Sequence, residues 1–261
     1  MIEVRKVHYA YPGQSEALKD VSACFRKGEF TAILGPNGSG KSTLLKTVCR
    51  LISPHSGEVL LEGRAVKAMK QKELAARIAL MSQHRQIPAM TVRDLVACGR
   101  YPHQSYMRGL DEKDELAIDQ AMKTAQVEML QERMVSRLSG GQQQRAYIAM
   151  ALAQDTDVLC LDEPTSSLDI HVRFDVMELI SRLRDEGKTV IAVLHDLELA
   201  LAYADRLIVL DHGEKAADGT AHEITESGVL DRVFGIRTKT FREGGKPYYH
   251  FEQAQKVNET D

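Results

Sequence analysis

The residues best equipped for chemistry are Gly35-Pro36-Asn37-Gly38-Ser39-Gly40-Lys41-Ser42-Thr43, which satisfy the G-x-x-x-x-G-K-[ST] spacing of a phosphate-binding P-loop. The three glycines let the backbone curl so that successive N–H groups point inward at a polyphosphate. Lys41 brings a compact positive charge to the outer phosphates, and Ser42 offers a hydroxyl to Mg²⁺. A helix beginning near Lys41 aims its positive end at the same anion. Four fixed positions of this kind arise by chance in about one chain in a hundred of this size, so the flanks matter. They supply the strand, loop and helix the pattern requires: Thr31-Ala32-Ile33-Leu34 before it, and Leu44, Leu45, Val48 and Leu51 at helical spacing after it.

A second chemical feature is Val158-Leu159-Cys160-Leu161-Asp162-Glu163, an apolar strand ending in two adjacent carboxylates. Asp162 is placed to support Mg²⁺ through water, and Glu163 is a candidate general base for an attacking water. A P-loop alone fits a kinase, a GTPase or a motor, so the rest of the chain decides.

The elements that must position these groups follow from pattern. Residues 2–9 largely alternate apolar and polar, and 21–25 form a second strand after the turn signal Tyr11-Pro12-Gly13. Together they predict an antiparallel edge to the sheet that carries the P-loop. Ser53-Pro54-His55-Ser56-Gly57 breaks the chain after the first helix, 58–61 reads as strand and Glu62-Gly63 as turn. Residues 70–77 form a short helix and 78–82 a buried strand ending at Gln83. Between Gln83 and Ser139 the β pattern disappears. Segments 91–98, 111–124 and 127–133 have helical composition, with Asp111 as N-cap and Asp114 and Glu115 in the first turn. This predicts a helical insertion at about 84–138. Beyond it come helix 140–153, strand 158–161, helix 169–185, strand 190–194, helix 197–204, strand 207–210 and a short strand near Lys215. Val172, Val176, Leu179, Ile180 and Leu183 form the apolar face of the 169–185 helix, with Phe174 on the opposite face. The expectation is an α/β fold whose mostly parallel sheet is covered on both sides, in a domain over 1–235. Residues 236–261 are expected to be a tail packed on or trailing from it, with Tyr248-Tyr249-His250-Phe251 a candidate last strand.

At 261 residues the chain can bury a substantial core. Its net charge of −3 provides no basic field for nucleic acid. Cys24, Cys49, Cys98 and Cys160 contain no C-x-x-C pair, which fits reduced thiols in a cytoplasmic protein. Cys160, set among aliphatics, packs as a small hydrophobe. Met1-Ile2-Glu3-Val4-Arg5 alternates charged and apolar residues, so no secretory signal is expected. The longest apolar run, 146–153, falls short of the roughly 18 residues of a membrane span. Any membrane role therefore passes through a partner.

At Leu138-Ser139-Gly140-Gly141-Gln142 the sequence resembles the ATP-binding cassette (ABC) ATPases, for which that pentapeptide is the signature. Six motifs stand in family order over nearly the whole chain: the P-loop, Gln83 as the Q-loop glutamine, the signature, Asp162-Glu163, the Ser167-Leu168-Asp169 D-loop, and His195 as the switch histidine. In isolation His195 reads equally as a helix cap at Leu194-His195-Asp196. The resemblance implies a P-loop ABC ATPase core with an N-terminal antiparallel β-subdomain and an inserted helical subdomain, and ATP and Mg²⁺ as cofactors. It implies nucleotide contacts from Gly35, Asn37, Gly38, Ser39, Gly40, Lys41, Ser42 and Thr43, with Tyr11 stacked on adenine and Tyr9 a substitute. Ser42, Gln83 and Asp162 would serve Mg²⁺. Lys41, Gln83, Glu163 and His195 would carry hydrolysis, His195 bonding the γ-phosphate and holding water with Glu163.

Ser139 and the Gly140 and Gly141 amides precede a helix and form a second anion site with no lysine of its own. One chain thus holds two half-sites. The family implication is a head-to-tail homodimer in which Ser139, Gly141 and Gln142 of one copy close over the ATP held by the other, with Gly140 and Asp169 beside them.

Thr91-Val92-Arg93-Asp94-Leu95-Val96 and Gly99-Arg100-Tyr101-Pro102-His103 look like the ATPase subunits that energise uptake of iron–siderophore complexes, haem and vitamin B12. That implies two membrane-spanning permease subunits, a solute-binding protein, and a peripheral location on the cytoplasmic face of the inner or plasma membrane. A groove beside Gln83, with residues 84–105, is expected to receive a permease helix, with Arg85, Arg100 and Tyr101 as contacts. A transporter for zinc, manganese or an exported lipid would share every nucleotide residue. A soluble ABC ATPase acting on DNA or ribosomes usually carries a coiled coil or two cassettes, and neither is present.

Overall fold

The computed structural model describes residues 1–13, 15–83, 87–104 and 109–254, with the backbone alone at 246. Strands β1 (Ile2–Ala10) and β2 (Glu16–Phe25) pair antiparallel, and β3 (Phe30–Leu34) runs through the P-loop into α1 (Lys41–Val48). β4 (Ser56–Leu61) and β5 (Arg64–Ala65) complete a four-stranded antiparallel sheet in the order β2-β1-β4-β5. The short α2 (Gln71–Ala75) leads to β6 (Ile78–Met81). A helical stretch follows, with α3 (Val92–Ala97), α4 (Glu112–Thr124) and α5 (Gly140–Ala153). The alternation then resumes through β7 (Val158–Asp162), α6 (Ile170–Asp185), β8 (Thr189–Val193), α7 (Leu197–Tyr203), β9 (Arg206–Asp211) and β10 (Glu214–Gly219). The second sheet has the order β10-β9-β3-β8-β7-β6, parallel from β9 to β6 with β10 antiparallel at its edge.

The apolar runs of this sheet are continuous because both faces are covered. Ile33, Cys160, Ile191, Val193 and Ile208 face one core, shared with α1 and the antiparallel sheet. Their sequence neighbours Ala32, Leu34, Leu159, Leu161, Val190, Ala192 and Leu207 face the other, shared with the remaining helices. Polar caps start several of those helices. Thr91 accepts from the Asp94 amide, Asp111 from those of Lys113 and Asp114, Ser139 from Gln142 and Asp196 from Leu199, each contributing about 1 kcal/mol. α1 differs: its cap is Gly40, with no side-chain cap bond.

Two expectations need correction, on residues 127–133 and on Arg100, and the chain past β10 adds elements that the pattern did not reveal. Residues 127–133 form no α-helix: Gln126 turns the chain at φ +59° after α4, and a single 3-10 turn, Glu128–Leu130, follows. Past β10, two further helices, α8 (Ala221–Glu226) and α9 (Val229–Phe234), precede a hairpin of β11 (Ile236–Glu243) and β12 (Lys246–Gln253). The hairpin docks through Ile236, Tyr249 and Phe251, and Asp231 accepts from the Thr238 amide and hydroxyl; residues 255–261 lie outside the described residues. Finally, Arg100 does not face outward. Its Nε donates to Asp114 Oδ1 at 2.8 Å and its Nη1 to the Ala153 carbonyl at 2.7 Å, with both charged side chains under a tenth exposed. Its neighbour Tyr101 is 74% exposed, while Arg85 lies outside the described residues.

Candidate active site

Glycine fixes the P-loop in a narrow space. Gly35 has φ +152°, and a Cβ there would lie 2.2 Å from the Leu210 carbonyl oxygen of β9. Gly40 has φ +99°, and a Cβ would lie 2.3 Å from the Ala17 carbonyl oxygen of β2. A side chain at either position would drive the loop away from a strand. Lys41 is buried, and its Nζ donates to the Gly35 and Pro36 carbonyls, both at 2.9 Å. Burial lowers its pKa, opposed by the Glu163 and Asp162 carboxylates. A buried ammonium resting on carbonyl dipoles is what an arriving polyphosphate stabilises. The Ser39 hydroxyl is buried without a hydrogen-bond partner.

β7 delivers the carboxylates. Asp162, buried, accepts from Ser42 Oγ at 2.8 Å, which joins two of the three side chains expected to serve Mg²⁺. Glu163 follows at φ +55°, with its amide bonded to the Val193 carbonyl at 3.1 Å. Its Oε1 lies 2.6 Å from His195 Nε2, and its Oε2 accepts from Gln83 Nε2. His195 is not the helix cap; Asp196 fills that place at α7.

A cavity of about 360 Å³ collects these groups: Tyr11, Asn37, Gly38, Gly40, Lys41, Ser42, Thr43, Glu163 and His195 line it. Tyr11 rather than Tyr9 is on the wall. Its hydroxyl is 3.4 Å from Thr43 Oγ1, and Tyr9 supports its ring edge-on at 5.0 Å between centroids. Ser15, Glu16 and Ala17 complete the wall. They carried no motif, and only their nearness in sequence to Tyr11 could have pointed to them.

Ser139, Gly140, Gly141, Gln142 and Asp169 are not in that lining. Ser139 and Gln142 close a reciprocal capping box at the start of α5, with bonds of 3.2 and 3.3 Å. Gly141 meets α6 closely: a Cβ there would lie 2.6 Å from Val172 Cγ1. Asp169 stands at the N-cap of α6 without a side-chain cap bond.

Strand, glycine loop, helix, buried lysine and strand-end carboxylates define a P-loop nucleoside triphosphatase. The family model described as ABC transporter matches residues 18–166, and the chain belongs to that family and is an ATPase. It is 40% identical over 251 residues to the petrobactin import ATP-binding protein FpuC of Bacillus anthracis, covering 95% of this chain and 92% of that protein. It is 47% identical over 212 residues to the ferric enterobactin transport ATP-binding protein FepC of Escherichia coli (strain K12), covering 80% and 78%. A dimeric structure of a bacterial ABC transporter cassette superposes with a TM-score of 0.75 at 33% identity, covering 85% of this chain and 99% of that one.

Proposed function

We propose that this chain is the ATP-hydrolysing subunit of an importer that takes up an iron–siderophore, haem or cobalamin-type solute through a separate membrane permease. The observation that carries the hydrolytic part is the pair of restraints on Glu163, by Gln83 and His195, on the wall that also holds Lys41 and Ser42. The names of relatives that cover 95% and 80% of this chain support the solute class.

In this reading Lys41, Ser39, Ser42, Thr43 and the amides of Gly35, Asn37, Gly38 and Gly40 bind the phosphates, and Tyr11 packs on adenine. Glu163 takes the proton of the attacking water, and His195 orients that water and the γ-phosphate. Ser42, Asp162 and Gln83 would hold Mg²⁺, which fits their oxygen donors; when bound it neutralises charge on the phosphates. Ser139, Gly140, Gly141, Gln142 and Asp169 serve the ATP of a second copy. Residues 1–235 form the ATPase domain, with the helical subdomain at about 84–138, and 236–261 the tail. The subunit sits on the cytoplasmic face of the inner or plasma membrane, held by two permease subunits that a solute-binding protein supplies. Among the described residues no helix is long and apolar enough to cross a membrane.

Two measurements test this. A Ser139→Arg chain is expected to bind a fluorescent ATP analogue normally, yet neither dimerise with ATP nor hydrolyse it; full ATPase activity rejects the two-half-site reading. Cells lacking the chain should lose uptake of one among labelled ferric siderophore, haem and cobalamin, and unaltered uptake of all three rejects the solute class.

A further inference from the structure

The wall formed by Glu163 and His195 has a second side. A cavity of about 230 Å³ lies against it, lined by Glu163, Thr165, Ser166, Arg173, His195 and Asp196. Arg173, in the first turn of α6, reaches two loops at once. Its Nε donates to the Leu168 carbonyl at 2.8 Å, and its Nη1 lies 3.6 Å from Asp196 Oδ2. Leu168 belongs to the loop that leaves Glu163, a loop folded tightly by Ser166 N–H donating to the Glu163 carbonyl and by Ser167 at φ +59°. Asp196 directly follows His195 and uses its other oxygen, Oδ1, to cap α7 at the Leu199 amide, 3.1 Å away. The guanidinium therefore joins the loop that follows the base to the loop that carries the histidine.

We propose that Arg173 is a positioning residue for ATP hydrolysis, tying the Leu168 carbonyl to Asp196 and thereby holding His195 against Glu163, a role that rests on those two residues being the hydrolytic pair. The His195 side chain is 42% exposed and its loop is short, so Glu163 is left to hold the ring from one direction and Arg173 steadies the backbone from another. Arginine suits the task because its Nε and Nη groups are separate donors spread over a rigid plane, whereas the donors of a lysine ammonium all radiate from one nitrogen and cannot span two acceptors set this way. Arg173 and Asp196 are both partly exposed, so the pair adds little to folding, and its removal acts on geometry instead.

The test compares Arg173→Met, Arg173→Lys, Asp196→Asn and the Met/Asn double variant for kcat, KM and affinity for a fluorescent ATP analogue. Asparagine retains an N-cap oxygen while removing the charge, so Asp196→Asn carries the test even if an Arg173 variant folds poorly. Arg173→Met is expected to lower kcat by about 10- to 100-fold, with KM and affinity changed less than about twofold. Arg173→Lys should recover only a minor part. Asp196→Asn should lower kcat too, and the double variant should fall no further than the worse single one. A kcat near wild type in Arg173→Met or Arg173→Lys, or additive losses in the double variant, overturns the proposal. Glu163→Gln run in parallel separates two failures. If that variant hydrolyses ATP at the wild-type rate, the reading of the site falls and the role of Arg173 with it. If it is inactive while Arg173→Met is fully active, the role of Arg173 alone falls.

Discussion

A Glu163→Gln chain is expected to bind ATP as the wild type does and to hydrolyse it about 10²- to 10⁴-fold more slowly, the usual contribution of a positioned general base. The substitution keeps shape and hydrogen bonding. The new amide oxygen can accept from Gln83 Nε2, and the new amide nitrogen can face His195 Nε2, where Glu163 now meets both. What glutamine lacks is a site for the proton of the attacking water. The fold should therefore be unchanged, including the left-handed turn at position 163 and its amide bond to Val193. Phosphate release measured beside nucleotide binding gives the answer. A variant that keeps hydrolysis within a few-fold of wild type would remove Glu163 from the reaction and transfer the role of base elsewhere.

The second large effect is on stability, at Arg100. Replacing it by Met strips a buried partner from Asp114 and leaves the carboxylate without its cation in the helical region. Removing one member of a buried pair costs about 3–5 kcal/mol, or roughly 6–20 °C in thermal midpoint for a chain of this size. Some of the loss falls on α5, because Arg100 also donates to the Ala153 carbonyl at the end of that helix, where a cation suits the helix dipole. The pH dependence makes the assignment specific. Burial alone would raise the Asp114 pKa, but the hydrogen bond from Arg100, the Asp111 amide and the Arg100 charge outweigh it and hold the carboxyl below its ordinary value. A depressed pKa stabilises the fold above the unfolded value, about pH 4, and that contribution disappears as pH falls through the folded value. The gap between wild type and Arg100→Met should thus be full at neutral pH and narrow as pH falls towards and through about 4, beginning above it because the buried carboxylate without its cation takes up a proton earlier. A constant gap, or a midpoint change below about 2 °C, would show that the pair is not the source.

The contrast between Arg100 and Lys41 explains what was legible in the sequence. Lys41 belongs to a motif whose spacing dictates its surroundings, so its loop, its strand and the carboxylates opposite could be read in advance. Arg100 stands in a short polar stretch after α3, and nothing local signals that Asp114, on the next helix, will bury it. The same holds for the end of the chain. α8 and α9 are six residues each, too short for a helical period to rise above composition. The hairpin was half legible: Gly244 and Gly245, at φ +58° and +81°, are a two-residue turn of the kind that joins strands. However, β11 is mostly exposed and charged, so only β12, with its aromatics, read as a strand. Residues 127–133 failed in the opposite sense: their composition suits a separate helix, but the short stretch after the left-handed turn at Gln126 keeps only the 3-10 turn Glu128–Leu130.

In the proposed dimer Gly141 answers to two neighbours, and one of them belongs to its own chain. Because a methyl group at this position would collide with Val172 Cγ1, and β-branched Val172 has little rotamer freedom on a helix, positions 141 and 172 are expected to drift together or not at all. A bulkier residue at 141 presupposes a smaller one at 172. Inactivity after a change at Gly141 therefore confounds two causes, a parting of α5 from α6 and a lost contact with ATP across a dimer. The exposed Ser139, two residues earlier, separates them better, because a change there costs α5 only its cap, about 1 kcal/mol, and does not push the helix off α6.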